Sequence, residues 1–88
     1  MRTPLTADEL AAALADLPFW SGDTRRIWRT AVLDDAARAR ITSVADDLDH
    51  HPVLEPVDGG TRIVLWTHVR DAVTELDIAL ATRLDALL

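Results

Sequence analysis

The alternation of helical stripes with pairs of short strands is the feature of this sequence that most restricts its fold. Two capping-box sequences, Thr6-Ala7-Asp8-Glu9 and Thr74-Glu75-Leu76-Asp77, each precede leucines at helical spacing. They predict a first helix over about residues 7 to 16 and a C-terminal helix that starts at the second box. A second helix is predicted over about residues 34 to 48, where two aspartates open an amphipathic stripe.

Strand and turn signals fill the segments between the helices. Ser21-Gly22-Asp23 predicts a turn that leads into a strand over Arg26 to Val32. Residues 53 to 57 are expected to be extended, and Asp58-Gly59-Gly60 predicts a tight turn into a strand over Thr61 to Thr67. The order α-β-β-α-β-β-α predicts an α+β two-layer sandwich, in which helices cover one face of a four-stranded, mostly antiparallel sheet.

Length and charge exclude several classes of function. The chain of 88 residues is long enough for one small domain, predicted to span residues 1–88, and too short for two. Fifteen acidic and nine basic side chains give a net charge of −6, which disfavours the phosphate backbone of nucleic acids and an anionic membrane surface. We therefore expect no nucleic-acid ligand and no membrane partner.

The setting of the protein is indicated by what its sequence lacks. It contains no cysteine, which excludes disulfides and thiolate metal ligands and fits a reducing, cytoplasmic location. No apolar run approaches the ~20 residues that span a bilayer, and Met1-Arg2-Thr3-Pro4 leads into a polar helix start rather than a signal peptide. A domain this small buries only about 60 to 65% of its unfolded surface, so we expect a homo-oligomer that shares sheet edges or helix faces.

Three histidines are the residues best suited to proton transfer: His50, His51 and His68. Imidazole titrates near neutral pH, so three of them in one cleft can move protons without a metal or covalent cofactor. Adjacent side chains of an extended chain point to opposite faces, so His50 and His51 are expected to play different parts. For the same reason we disfavour a three-histidine zinc site. The alternative structural interpretation is a histidine pair that simply ends a helix before Pro52.

The acidic and aromatic candidates also have structural interpretations. Asp77 is expected to close the second capping box, and Asp46, Asp47 and Asp49 form a solvated face at the end of the second helix. Negative charge at that end of a helix is mildly unfavourable, which indicates another role for at least one of them. The tryptophans are expected to be core or interface anchors: Trp20, Trp28 and Trp66.

Several of these residues stand at distinctive distances from one another along the sequence. Asp46 stands four positions before the first histidine of Asp49-His50-His51-Pro52. The histidine of Thr67-His68 follows His51 by seventeen positions. The aspartate of Thr74-x-x-Asp77 follows His68 by nine positions. In this pattern the chain resembles the pterin-4a-carbinolamine dehydratases, also called 4a-hydroxytetrahydrobiopterin dehydratases. The resemblance is clearest over residues 41 to 85 and implies the same α-β-β-α-β-β-α fold.

The resemblance also implies a reaction. It is the elimination of water from 4a-hydroxytetrahydropterin to give quinonoid dihydropterin, which recycles the pterin cofactor of aromatic amino acid hydroxylases. His50 and His68 would be the acid/base pair, His51 would bind and orient the pterin, and Asp46 and Asp77 would hold the imidazole tautomers. Two more residues join the substrate-binding or orienting set: Pro52 and Thr67.

The same resemblance implies no metal and no organic cofactor. The homo-oligomer expected from the size of the domain is a homodimer or homotetramer, and the resemblance implies an aromatic amino acid hydroxylase as a partner in the same pathway.

A second interpretation keeps the fold and changes the role. The family has an aromatic residue in the strand after its His-His-Pro, whereas no aromatic residue lies between Pro52 and Trp66 here. In this alternative the protein is a catalytically weak or inactive homo-oligomer that serves as a protein-binding, dimerisation or assembly module. We favour the enzyme, because a module freed from catalysis has no physical reason to keep three histidines and two acids together.

Overall fold

Residues 3–88, which a computed structural model describes, form three α-helices and four β-strands in the predicted order. Met1 and Arg2 lie outside the described residues. They begin the N-terminal segment that the sequence predicts is not a signal peptide. The bounds are α1 (Ala7–Ala15), β1 (Ser21–Gly22), β2 (Ile27–Ala31), α2 (Asp35–Leu48), β3 (Val53–Val57), β4 (Gly60–Leu65) and α3 (Glu75–Asp85), with a 3-10 turn at His68–Arg70.

The strands form one antiparallel sheet in the order β1-β2-β4-β3. Ile27 of β2 pairs with Leu65 of β4, and both side chains are buried together with Ile63. The helices supply the other half of this core, with Leu10, Ile41, Leu80 and Leu84. The predicted α+β architecture is therefore confirmed. Within the described range, no helix has the length and apolar character needed to cross a bilayer.

Both predicted capping boxes are present, in different surroundings. In α1, the Thr6 hydroxyl accepts the Glu9 N–H at 3.1 Å and Glu9 Oε1 accepts the Thr6 N–H at 2.9 Å, at an exposed helix start. In α3, Asp77 Oδ2 accepts the Thr74 N–H at 2.9 Å, and both side chains are fully buried. The first turn of α3 therefore brings a carboxylate into the interior of the fold.

The β-hairpin predicted around Ser21-Gly22-Asp23 is present, but its turn lies further along the chain than expected. Ser21 and Gly22 form strand β1 itself, paired with β2, and the chain reverses direction over residues 23 to 26. There, Asp23 Oδ1 accepts the N–H groups of Arg25 and Arg26. This arrangement is a side-chain turn of the kind that aspartate favours.

The predicted end of the last strand is wrong. β4 ends at Leu65 instead of Thr67, because the chain turns into the 3-10 turn that begins at His68. Thr67 keeps only an isolated bridge to Ala72. His68 therefore belongs to a turn beyond the sheet rather than to the strand in which it was expected.

Candidate active site

A pocket of about 410 Å³ opens where the end of α2 meets the segment after β4. This volume lies within the ~300–1,000 Å³ usual for small-molecule sites. Residues from both segments and from the first turn of α3 line the pocket: Asp49, His50, His51, Thr67, His68, Val69 and Leu76. The structure thus brings all three histidines to one cavity.

The end of α2 directs the first two histidines to different environments. Asp49 caps the helix in the left-handed conformation (φ 49°), which aspartate tolerates better than most residues. The next N–H, from His50, returns to the Ala45 carbonyl at 2.9 Å. After this reversal the His50 side chain is buried and the His51 side chain is exposed, although both border the pocket.

His50 is held by a buried hydrogen-bond network. Its Nε2 lies 2.5 Å from Asp77 Oδ1, and Asp77 Oδ2 accepts the Thr67 hydroxyl at 2.9 Å. The hydroxyl oxygens of Thr67 and Thr74 lie 2.7 Å apart. Because Asp77 engages Nε2, Nδ1 is the remaining ring nitrogen of His50, and the ring orientation is fixed from inside the fold.

His51 has a carboxylate partner at the surface. Its Nε2 lies 2.7 Å from Asp46 Oδ1, and the two side chains are 57% and 65% exposed. A polar contact between side chains this exposed contributes at most about 1 kcal/mol to stability. Asp46 therefore adds little to the stability of the fold through this contact, and its orienting role stays a prediction.

His68 is held in a third way, by stacking. Its ring lies parallel to the Trp66 indole, with 4.2 Å between the centroids and 2° between the planes. Among residues 3–88, no hydrogen bond or ion pair to the His68 ring accompanies this contact. Sequence reasoning assigned Trp66 only an anchoring role. The available signal was the period of two in extended chain, which places residues 66 and 68 on the same side.

The other predicted site residues take different positions. Thr67 lines the pocket, whereas Asp46 and Asp77 lie behind the histidines that they bind. Pro52 is half-buried just before β3 and is not part of the pocket lining. Sequence reasoning named neither Val69 nor Leu76 as a site residue, although both border the pocket.

No group of three or more histidine, aspartate or glutamate side chains in the described part of the chain is arranged to hold a metal ion. The Nε2 atoms of His50 and His51 instead face carboxylate oxygens from different elements. A carboxylate in such a position can orient a catalytic histidine.

Comparison with known proteins assigns the family. Residues 3–87 match the family described as Pterin 4 alpha carbinolamine dehydratase. The chain belongs to this family. Members of the pterin dehydratase family act on a pterin, and the resemblance seen in the sequence is confirmed.

Two relatives and one solved structure illustrate the match. A protein of Mycobacteroides abscessus is 41% identical over 87 residues, which cover 92% of each chain, and one of Streptomyces avermitilis is 41% identical over 90 residues, which cover 96% of this chain and 89% of the other. Both carry the provisional name pterin-4-alpha-carbinolamine dehydratase. A crystal structure from Brucella melitensis, described as a transcriptional coactivator/pterin dehydratase, superposes with a TM-score of 0.86 at 30% identity, covering 97% of this chain and 98% of that one.

Proposed function

We propose that this member of the pterin dehydratase family eliminates water from 4a-hydroxytetrahydropterin to give quinonoid dihydropterin. The observation that carries the proposal is the position of His50, His51 and His68, which reach one pocket from two separate segments of the chain. In this reaction the C4a–O bond breaks, the hydroxyl leaves as water after it gains a proton, and a ring nitrogen of the pterin loses a proton. One acid and one base are therefore needed, and neither is consumed.

His50 and His68 supply this acid/base pair in the proposal. Imidazole donates and accepts protons near neutral pH, and a well-placed pair accelerates proton transfer in both directions. His50 is held by Asp77 from the interior, and His68 borders the same pocket from the opposite segment. A pterin between them presents its hydroxyl to one ring and its nitrogen to the other.

The remaining lining residues suit a flat bicyclic ligand. Val69 and Leu76 offer apolar surface for the ring faces, as is usual in small-molecule pockets. Asp49 and His51 supply polar groups for the ring edge. In this arrangement His51 binds and orients the pterin and does not transfer the proton itself.

The direct test measures the dehydration of 4a-hydroxytetrahydropterin, generated in situ, with and without the purified protein. We expect the protein to raise the rate of quinonoid dihydropterin formation well above the spontaneous rate. A wild-type rate equal to the spontaneous rate overturns the proposal.

Substitution of His51 separates binding from chemistry. We expect His51→Ala to raise KM by about 5- to 10-fold and to change kcat by less than about 2-fold, because the lost interaction is made equally in ground and transition states. Steady-state kinetics measure both constants. Arg83→Gln is the matched control, since Arg83 forms another exposed ion pair, with Asp47 at 3.4 Å. A large loss of kcat at unchanged KM would instead give His51 a chemical role.

A second candidate function is protein binding, as the description of the Brucella melitensis structure indicates for that protein. The observation that favours it here is the sheet face away from the core, where Trp28, Val53 and Val64 lie side by side. This face would serve a homodimer or homotetramer, or a hydroxylase of the same cytoplasmic pathway. Light scattering after gel filtration measures the assembly. A stable oligomer without dehydratase activity would favour this candidate over the enzyme.

A further inference from the structure

The third histidine of the pocket is oriented by a different kind of contact from the other two. His50 and His51 each bind a carboxylate through Nε2. His68 is exposed, at the start of a 3-10 turn, and its ring stacks on Trp66. An exposed side chain without such a contact exchanges among rotamers, and ordering it costs conformational entropy. The stack on Trp66 therefore restricts the ring of His68, as the contacts with Asp77 and Asp46 restrict the other two histidine rings.

The indole is itself held by a second planar group. The Arg26 guanidinium carbon lies 4.1 Å from the Trp66 ring centroid, a cation–π distance. Both groups contact the same indole, so Trp66 connects Arg26 to His68. We call these three residues the Arg26–Trp66–His68 stack. It links the turn between β1 and β2 to the pocket.

Asp71, which follows the 3-10 turn, connects Arg26 to the backbone of His68. Its Oδ1 accepts from Arg26 Nη2 at 2.7 Å and its Oδ2 accepts from Arg25 Nη2 at 2.6 Å, while its N–H donates to the His68 carbonyl at 3.1 Å. The hydrogen bond from Arg26, followed by the charge of Arg25, holds the pKa of Asp71 below its ordinary 3.8. The carboxylate is therefore ionised, and the link to both arginines intact, throughout the neutral pH range. The contribution of the Asp71 carboxylate to stability is present above its ordinary pKa, and it is lost only as the pH falls through the lowered pKa of the folded protein.

We propose that Trp66 is a positioning residue, which through the Arg26–Trp66–His68 stack and Asp71 aims the His68 imidazole into the pocket. The inference rests on the proposed function, because it assigns the stack to the acid/base role of His68. It gives the stacked Trp66 indole and the two arginines that bind Asp71 one common role. A misplacement of about 1 Å in a reacting group is enough to cost up to about 100-fold in rate.

The test compares Trp66→Leu with Trp66→Phe in kinetics and in NMR spectra. We expect Trp66→Leu to lower kcat by about 10-fold with KM changed less than about 2-fold, and Trp66→Phe to retain most of kcat because a ring face remains. The His68 ring protons, shifted by the indole ring current in the wild type, should move toward ordinary values in Trp66→Leu. Phe19→Leu is the matched control, since Phe19 carries another arginine, Arg29, at 4.6 Å; it should change neither readout.

A double-mutant cycle with His68→Ala separates positioning from a general effect on folding. If Trp66 acts through His68, adding Trp66→Leu to His68→Ala should change the remaining rate by less than about 2-fold. Equal losses in both backgrounds would overturn the inference, as would a Trp66→Leu protein whose His68 signals move while kcat stays unchanged.

A wild-type rate equal to the spontaneous one is a separate result, which removes the proposed function and this inference with it. Should Trp66→Leu not fold, Asp71→Asn carries the test, because asparagine also accepts the left-handed backbone (φ 49°) at that position. We expect it to lower kcat by about 3-fold and to shift the same His68 signals. Unchanged kcat and signals in Asp71→Asn would overturn the inference.

Discussion

Asp77→Ala is expected to destabilise the protein by about 3–5 kcal/mol, measured as the free energy of unfolding in urea. Asp77 is fully buried and its two oxygens accept from the Thr74 N–H and the Thr67 hydroxyl and contact His50 Nε2. Its removal leaves buried donors without acceptors, which costs more than the hydrogen bonds themselves. It also removes half of the capping box that starts α3.

The matched controls isolate the cost of burial. Glu9→Ala breaks the equivalent capping box of α1 at the surface, and we expect it to cost only about 0.5–1 kcal/mol. Asp77→Asn keeps one acceptor oxygen and should fall between the two. If Asp77→Ala and Glu9→Ala cost the same, the buried network around His50 does not contribute to stability.

His68→Ala is expected to lower kcat for dehydration by about 10²–10⁴-fold, the usual contribution of a general acid or base. The His68 side chain is exposed, so the free energy of unfolding should change by less than about 0.5 kcal/mol. The equivalent change at His50 should cause a similar loss of kcat together with lower stability, because it leaves Asp77 buried without its partner. His68 is therefore the cleaner position at which to test acid/base catalysis.

His68→Phe is the control for ring stacking. Phenylalanine keeps a planar ring to pack on Trp66 but transfers no proton, so its kcat should fall as far as that of His68→Ala. If His68→Phe retains most of the wild-type rate, His68 serves as a wall of the pocket and the proposed proton transfer at this position is wrong. Urea unfolding of both variants checks that the fold is intact.

The order of elements was predictable because it depends on local signals. Capping boxes, leucine spacing and turn residues each act over a few positions, and all of them point to the same arrangement. The error at Gly22 shows the limit of such signals, since glycine in a turn and glycine in a strand look alike in sequence. Gly22 is required here because a Cβ would lie 2.2 Å from the Arg26 carbonyl oxygen, and its φ is 141°. That contact exists only after β1 pairs with β2.

The three histidines of the candidate site and the two carboxylates beside them could be named from the sequence, but which carboxylate contacts which imidazole could not. The family resemblance indicates that the three histidines meet. The pairing of β3 with β4 indicates the same, because His50 and His51 precede β3 and His68 follows β4. No local pattern shows that Asp77 reaches His50, because that contact depends on α3 packing against the end of α2. The period of two places Trp66 and His68 on the same side of an extended chain, but no local pattern shows that their rings stack.

Asp77 both caps α3 and contacts His50, and this combination bears on how a lineage with this fold could change its function. A descendant that no longer needs the chemistry still uses this carboxylate at the start of its last helix, contrary to the expectation that a module freed from catalysis has no reason to keep it. Its presence in a distant relative is therefore no sign that the relative turns over a pterin. His68 is exposed and has no such structural role, so under the proposed function its loss is the change expected in a family member that no longer catalyses the dehydration.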